Sequence, residues 1–335
     1  MKNDEKIITQ KKTSQRKYIL MAGIVVLLII SALVFSFLQK PKPDQASEYL
    51  IRQLAAKELN KDPNELTDED FAGIKEFEIG SIVNSYGSGV VDDYKELSDI
   101  KLLEKFTGLQ ELSLLIRFPQ EDIPKWVKIM AKWGIIDLRK RFAIDLTPLE
   151  KLNNLERLHI NSSQIKELEP LSNLVNLRYL SLGDIQVSDL KLLKKLTNLE
   201  TLQMYQTSIS DLEPLRNLSN LQSLDIWDVK VSNLEPLKKL TNLENLTLRQ
   251  TNISDIGPLR NLTNLQHLDI CDTKVSNLEP LEGLAELTGL LAEGTLISDI
   301  KPLKNLANLE EFSLSDTKVS SLEPLEGLKT IYRKV

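Results

Sequence analysis

The chain has 335 residues, 41% hydrophobic and 27% charged, with a formal net charge of −6. One cysteine and two histidines exclude a disulfide framework and any Cys- or His-cluster metal site, and the acidic balance excludes the basic footprint of a nucleic-acid-binding domain. Leucine dominates at 63 residues, while 13 glycines and 13 prolines are too few for collagen-like or low-complexity classes.

Residues 1–17 form a basic tail, in which Lys2, Lys6, Lys11, Lys12, Arg16 and Lys17 outweigh Asp4 and Glu5. Residues 18–38, YILMAGIVVLLIISALVFSFL, carry no charge. At about 1.5 Å per residue such a helix spans about 31 Å, the thickness of the hydrocarbon core. A cleaved signal peptide has a shorter apolar core and a small-x-small cleavage site, whereas this span runs into Phe37-Leu38-Gln39-Lys40-Pro41. The expected element is therefore one uncleaved transmembrane helix. Its basic flank precedes it, so the N-terminus is expected in the cytoplasm and the rest of the chain outside, at the cell surface or in the periplasm. Residues 39–47, with Lys40-Pro41-Lys42-Pro43, read as a stiff polar linker.

Residues 48–102 read as an N-terminal cap with an insertion loop. An amphipathic helix (Leu50, Ile51, Leu54, Leu59) precedes a degenerate first coil through Leu66, Phe71, Ile74, Phe77 and Ile79, and a polar loop covers 80–94. Residues 103–335 are a repeat array. Leu149, Leu171, Leu193, Leu215, Leu237, Leu259, Leu281, Leu303 and Leu325 fall at a constant interval of 22. Each unit follows L-x-x-L-x-x-L-x-x-L-x-L-x-x-T-x-I-x-x-L-x-P. Two looser units start at Leu103 and at Val127, the second through Met130, Trp133, Ile136 and Leu138. The expectation is ten coils plus a C-terminal stub that stops at Leu325, Leu328, Ile331 and Tyr332, where a further strand would begin. A single coil cannot bury its apolar side chains alone, so the units must stack into one continuous core. The L-x-L pair predicts the strand, alternating in and out. The recurring prolines (Pro170, Pro214, Pro236, Pro258, Pro280, Pro302, Pro324) are expected in an extended segment on the opposite, convex side.

On this spacing the chain resembles the leucine-rich-repeat family, most closely its bacterial internalin-type class of 22-residue repeats. The segment ISDIGPLRNLTNLQHLDI (253–270) follows that pattern almost throughout. The resemblance implies an α/β-type solenoid with short parallel strands on its concave face, an irregular, 3-10 or extended convex side, and protein–protein binding on the concave face. The family's asparagine-ladder position holds Ser163, Ile185, Thr207, Val229, Thr251, Thr273, Thr295 and Thr317 instead. A hydroxyl there is expected to serve one backbone group of the neighbouring turn, while Ile185 and Val229 serve none.

No residues cluster as catalysis, a cofactor or a metal would require, so the chain reads as a binding protein and not an enzyme. His159 and His267 lie five coils apart. Asp92-Asp93 reads as a solvated turn, and Gly87-Ser88-Gly89 lacks the strand–loop–helix setting of a phosphate site. Cys271 falls on an exposed strand position by register but has no clustered base. Asn-x-Ser/Thr at Asn161, Asn217, Asn245, Asn252 and Asn261 follows from the repeated strings. The outward strand positions align in columns about 4.8 Å apart from coil to coil. One column brings Tyr205, Trp227 and Arg249 side by side, the next holds Asp225 and Asp269, and the one beyond holds Tyr179 and His267. These seven are the candidate partner-binding residues, because Tyr, Trp and Arg dominate binding hot spots and the carboxylates supply oriented polar contacts. The partner class is a protein, peptide or glycan, and the membrane is met through residues 18–38. The competing account of Trp227 and Arg249 is a mutual cation–π pair with no ligand. Competing functions are an envelope scaffold, or a cytoplasmic regulator resembling phosphatase-regulating leucine-rich-repeat proteins, which needs the reverse topology.

Overall fold

Every L-x-L segment within the described residues places two apolar side chains on one side of an extended backbone, and the chain uses that side to stack. The computed structural model describes residues 45–80, 99–116, 132, 143–325 and 332–334. The chain divides into two compact units, Met1–Pro43 with Glu121–Arg141 and Asp44–Gln120 with Phe142–Val335. All elements below belong to the second unit. The basic tail, the apolar span at 18–38 and most of the linker lie outside the described residues, as does the loop at 81–98. Among the described residues no helix is long and apolar enough to cross a membrane.

Helix α1 (Gln45–Leu59) comes first, so the segment expected as a linker to residue 47 is already helical from Gln45. Its Ile51, Ala55 and Ala56 join the core. Helix α2 (Asp68–Gly73) starts at a capping box, Thr67 bonding the Asp70 amide while the Asp70 carboxylate bonds the Thr67 amide. Then come eleven strands: β1 (Glu76–Gly80), β2 (Glu111–Leu115), β3 (Arg157–Asn161), β4 (Tyr179–Gly183), β5 (Thr201–Tyr205), β6 (Ser223–Trp227), β7 (Asn245–Thr247), β8 (His267–Asp269), β9 (Gly289–Leu291), β10 (Glu311–Ser313) and β11 (Tyr332–Lys334). Among the described residues these eleven form one sheet in sequence order. All ten pairings are parallel.

The register stacks like on like. Phe77, Leu112, Leu158, Leu180, Leu202, Leu224, Leu246, Leu268, Leu290 and Phe312 are successive cross-strand partners. All ten are buried. At about 1.5–3 kcal/mol per fully buried side chain, such columns supply the main driving force for stacking.

The pairing bears on both ends of the array. β2 bonds directly to β3, Leu112 against Leu158, and the unit read at Val127 to Leu138 lies outside the described residues apart from residue 132. The 46 residues from Leu112 to Leu158 cover one sheet step where 22 suffice at each step from β3 to β10. A strand ladder constrains only its own residues, so surplus chain can leave between strands at little entropic cost. At the other end the stub supplies a strand, β11, which pairs with β10.

The proline expectation is also corrected. Each of these prolines lies in a short 3-10 turn, such as Glu213–Leu215 and Gly257–Asn261, not in an extended segment. Proline fits the opening of such a turn because its φ is already set and its missing N–H would have had no partner. An Asp or Asn ahead of it primes the turn. Asp211 Oδ1 accepts the Glu213 amide at 2.8 Å, and Asn233, Asp255, Asn277 and Asp299 repeat the bond one coil further each time.

The hydroxyls at the expected ladder position bond within their own turn. Thr251, Thr273, Thr295 and Thr317 donate to the carbonyl three residues back, at 2.7–2.8 Å. Ile185 and Val229 are buried among the apolar residues. The coil-to-coil ladder belongs to other asparagines. Asn176, Asn198, Asn220, Asn242, Asn264 and Asn308 each donate to a carbonyl 23 residues earlier, at 2.7–3.0 Å. Asn220→Ala or Asn242→Ala is expected to lower the unfolding free energy by about 1 kcal/mol, against about 2–5 kcal/mol for Leu202→Ala. Urea titration checks the ratio, and an Asn variant as stable as the parent would deny the ladder its role.

Candidate concave recognition site

Strand alternation sends Tyr179, Ser181 and Gly183 of β4 to the face opposite Leu180 and Leu182. The same holds for Thr201, Gln203 and Tyr205 of β5, and for Ser223, Asp225 and Trp227 of β6. The register pairs Tyr205 with Trp227, Gln203 with Asp225 and Ser181 with Gln203. Asn245, Thr247, His267 and Asp269 continue the same rows on β7 and β8.

The Tyr205 and Trp227 rings stack, with centroids 5.3 Å apart and planes 7° from parallel. Tyr205 leans across the preceding strand, and its hydroxyl accepts from Asn161 Nδ2 at 3.0 Å. It can do so because residue 183 is glycine. A Cβ there would collide with the Tyr205 ring and hydroxyl. The same device appears at Gly289, where a Cβ would lie 2.8 Å from His267 Cδ2. Tyr179 is fixed too: its hydroxyl donates to Gln203 Oε1 at 2.7 Å, and the Arg157 guanidinium lies 4.3 Å from its ring centroid. Arg157 also pairs with Glu111 at 3.2 Å.

Two expected features are corrected. Trp227 has Tyr205 as its stacking partner, while Arg249 turns to the Asp272 carboxylate, 3.6 Å away. Cys271 is buried, not exposed, and burial with the neighbouring Asp269 pushes its thiol up to about 12. A thiol so held is protonated and unreactive at neutral pH.

The middle row is polar and under-satisfied. Among the described residues, four buried side-chain polar atoms have no hydrogen-bond partner. Three of them, His159 Nε2, Ser181 Oγ and Asp225 Oδ1, lie in this row. Ser181 is wholly buried. Burial lowers the His159 pKa, which leaves the ring neutral at pH 7. Burial first, and then the charge of Asp269, raises that of Asp225. Asp269 itself accepts the Cys271 amide at 2.9 Å. Six of the seven sequence-chosen residues lie on one face, with Tyr205, Trp227 and Asp225 grouped, Tyr179 beside them, and Asp269 and His267 two strands on, while Arg249 lies past the end of β7 against Asp272. Sequence reading missed Asn161, Gly183, Gln203, His159 and Ser181 as parts of this group. The readable signal was the lone glycine in the column of Tyr205 and Trp227.

The raised Asp225 pKa gives a signed expectation. A carboxyl whose folded pKa is raised contributes stability that is complete below its ordinary value of 3.8 and is lost as pH rises through the folded value. Asp225→Asn should therefore be more stable than the parent at pH 7, with the difference vanishing below pH 3.8. Melting curves over that range check it, and a variant less stable at pH 7 contradicts it. Gly183→Ala should keep the far-ultraviolet dichroism but lose the near-ultraviolet signal of the stacked rings.

Residues 175–217, 197–239 and 241–283 match the family model described as Leucine Rich repeats (2 copies). A comparison with curated protein sequences gives no match. Among solved structures the chain is similar to an internalin (inlF) from Listeria monocytogenes. The two are 24% identical over 87% of this chain and 94% of that one, with a TM-score of 0.58. It is also similar to internalin C2 of the same organism, at 24% identity over 87% and 93%, with a TM-score of 0.47. A plant peptide hormone receptor, RGFR1 in complex with RGF2, is 20% identical over 70% and 45%, with a TM-score of 0.47. The matched segments are leucine-rich repeats, and the array has the solenoid fold of that first internalin.

Proposed function

We propose that this chain is a single-pass, membrane-anchored recognition protein, with its repeats outside the cytoplasm and a protein or peptide partner bound on the concave face. The observation that carries the binding half is the stacked Tyr205–Trp227 pair, seated over Gly183 and tied to Asn161. Folding asks for apolar side chains on the inner side of each strand and nothing aromatic on the outer side. A fixed, half-buried aromatic step on an open sheet is the arrangement that binding hot spots use, because it adds contact area with little entropy left to lose. The uncharged span at 18–38 behind a basic tail supports the anchored half. Helix α1, whose buried face joins the core beside β1, serves as the cap that a repeat array needs at its first coil.

Trp227→Ala is expected to leave the melting temperature nearly unchanged and to weaken capture of the membrane partner by about 2 kcal/mol or more. Undiminished capture by this variant refutes the concave site and favours the scaffold. Protease added to intact cells, or to spheroplasts where an outer membrane exists, should digest residues 44–335 and spare the tail. A protected repeat array would instead support the cytoplasmic regulator.

A further inference from the structure

The outward-facing residues of β1–β10 are strongly unbalanced in charge. They include the carboxylates Glu76, Glu78, Glu111, Asp225, Asp269 and Glu311 against one guanidinium, Arg157. Arg157 is already committed to Glu111 and the Tyr179 ring. Arg249, the nearest other cation, turns away to Asp272. The whole chain has 42 basic and 48 acidic residues, so the imbalance belongs to this face and not to the average surface.

The carboxylates fall in two places. Where α1 meets β1 and β2, an open cavity of about 420 Å³ is lined by Glu58, Glu76, Glu78 and Glu111, with Lys57 the one cation among its lining residues. Further along, Asp225 and Asp269 flank Thr247 on three successive strands, beside Trp227. Asp225 Oδ1 is buried with no partner, and its row runs on through Gln203 to Ser181 and His159, whose Oγ and Nε2 have none either. Leaving the Asp225 carboxylate oxygen unmatched costs about 1–3 kcal/mol, a penalty that a donor-bearing ligand beside it relieves.

We propose that the partner presents an extended basic segment to this face, one lysine or arginine ending at Asp225 and Asp269 against Trp227, and a second in the glutamate-lined cavity. The inference rests on the concave reading above and gives its partner a chemistry. The aromatic face and the paired carboxylates both attract a cation. From β2 to β6 are four strand steps, about 19 Å at 4.8 Å each, which an extended chain covers in about six residues. The two basic residues of the partner therefore stand about six apart.

The test uses the full-length chain in detergent micelles and three labelled synthetic peptides in a Gly/Ser background: two arginines spaced about six apart, two adjacent, and two glutamates at the wider spacing. Fluorescence anisotropy should show the spaced arginine peptide binding tightest and the glutamate peptide not at all. High salt should weaken the spaced peptide. The double variant Asp225→Asn/Asp269→Asn should bind it about tenfold more weakly, and Glu76→Gln/Glu78→Gln should abolish the advantage of spacing over adjacency. Asp225→Asn is expected to stabilise the fold at neutral pH, so lost binding by the double variant, checked for a melting temperature no lower than the parent's, is not lost structure. Equal binding of the arginine and glutamate peptides overturns the proposal. So does unchanged binding by the Asn pair, or displacement of the peptide by a neutral oligosaccharide such as cellohexaose. If these variants still capture the membrane partner while Trp227→Ala does not, the basic segment is wrong and the concave site stands.

Discussion

The structure depends on one constraint: each strand must pair in register with the next at the same step of the coil. Leu158, Leu180, Leu202, Leu224 and Leu246 meet because the intervals between them are constant, and each is buried only because its neighbours are there. Contacts in such an array are local to adjacent coils, so its stability is a sum over neighbours. The same logic explains how chain can be inserted without breaking the array. The step from β2 to β3 keeps the Leu112–Leu158 pairing although the segment between them is twice the usual length. Pairing constrains where strands sit and not the route the chain takes between them.

The leucines bury area, but polar groups set the coil's shape. An asparagine before β4–β8 and β10 reaches the preceding coil, an Asp or Asn primes most of the 3-10 turns, and in four coils a threonine closes the turn after the strand on its own carbonyl. Just past most strands one residue takes positive φ: Asp184, Gln206, Asp228, Gln250, Asp272, Gly294 and Asp316. The left-handed region disfavours ordinary side chains, and Asp is among the residues that tolerate it. These positions keep the ladder going, as where the Asp228 amide bonds the Arg249 carbonyl at 3.1 Å. A repeat thus satisfies its backbone with short side chains at fixed offsets, which leaves the outward strand positions free of structural duty.

That freedom makes departures on the outer face informative. Buried unpartnered atoms are rare in folded proteins, yet three of the four among the described residues share one concave row. The same row holds Asp225, whose ionised form burial disfavours. A surface arranged for stability alone would replace these groups, and local violations of folding rules concentrate where a chain meets its partner. Cys271 gives the contrast: a reactive group by chemistry, it is buried and its thiol is held protonated.

How much of this was legible in the sequence varies by element. The period of 22, the burial of the L-x-L residues and the alignment of Tyr205 with Trp227 were, because strand alternation and a constant repeat convert spacing directly into position. The direct pairing of β2 with β3 was not, because an apolar pattern states what can stack and only pairing states what does. The true asparagine ladder was visible as a column in the sequence, but which carbonyl it reaches depends on how far each coil rises. Arg249 could not be assigned to Asp272 over Trp227, nor could the burial of Cys271 be read, since side-chain direction at a strand's end follows the local turn. The sequence by itself determined the solenoid, its core and the rows of its outer face, since these need only periodicity and hydrophobicity. Tertiary structure alone decided that Tyr205 would lie over Gly183 and that Asp225 would remain unpaired, because both depend on what the adjacent strand leaves open.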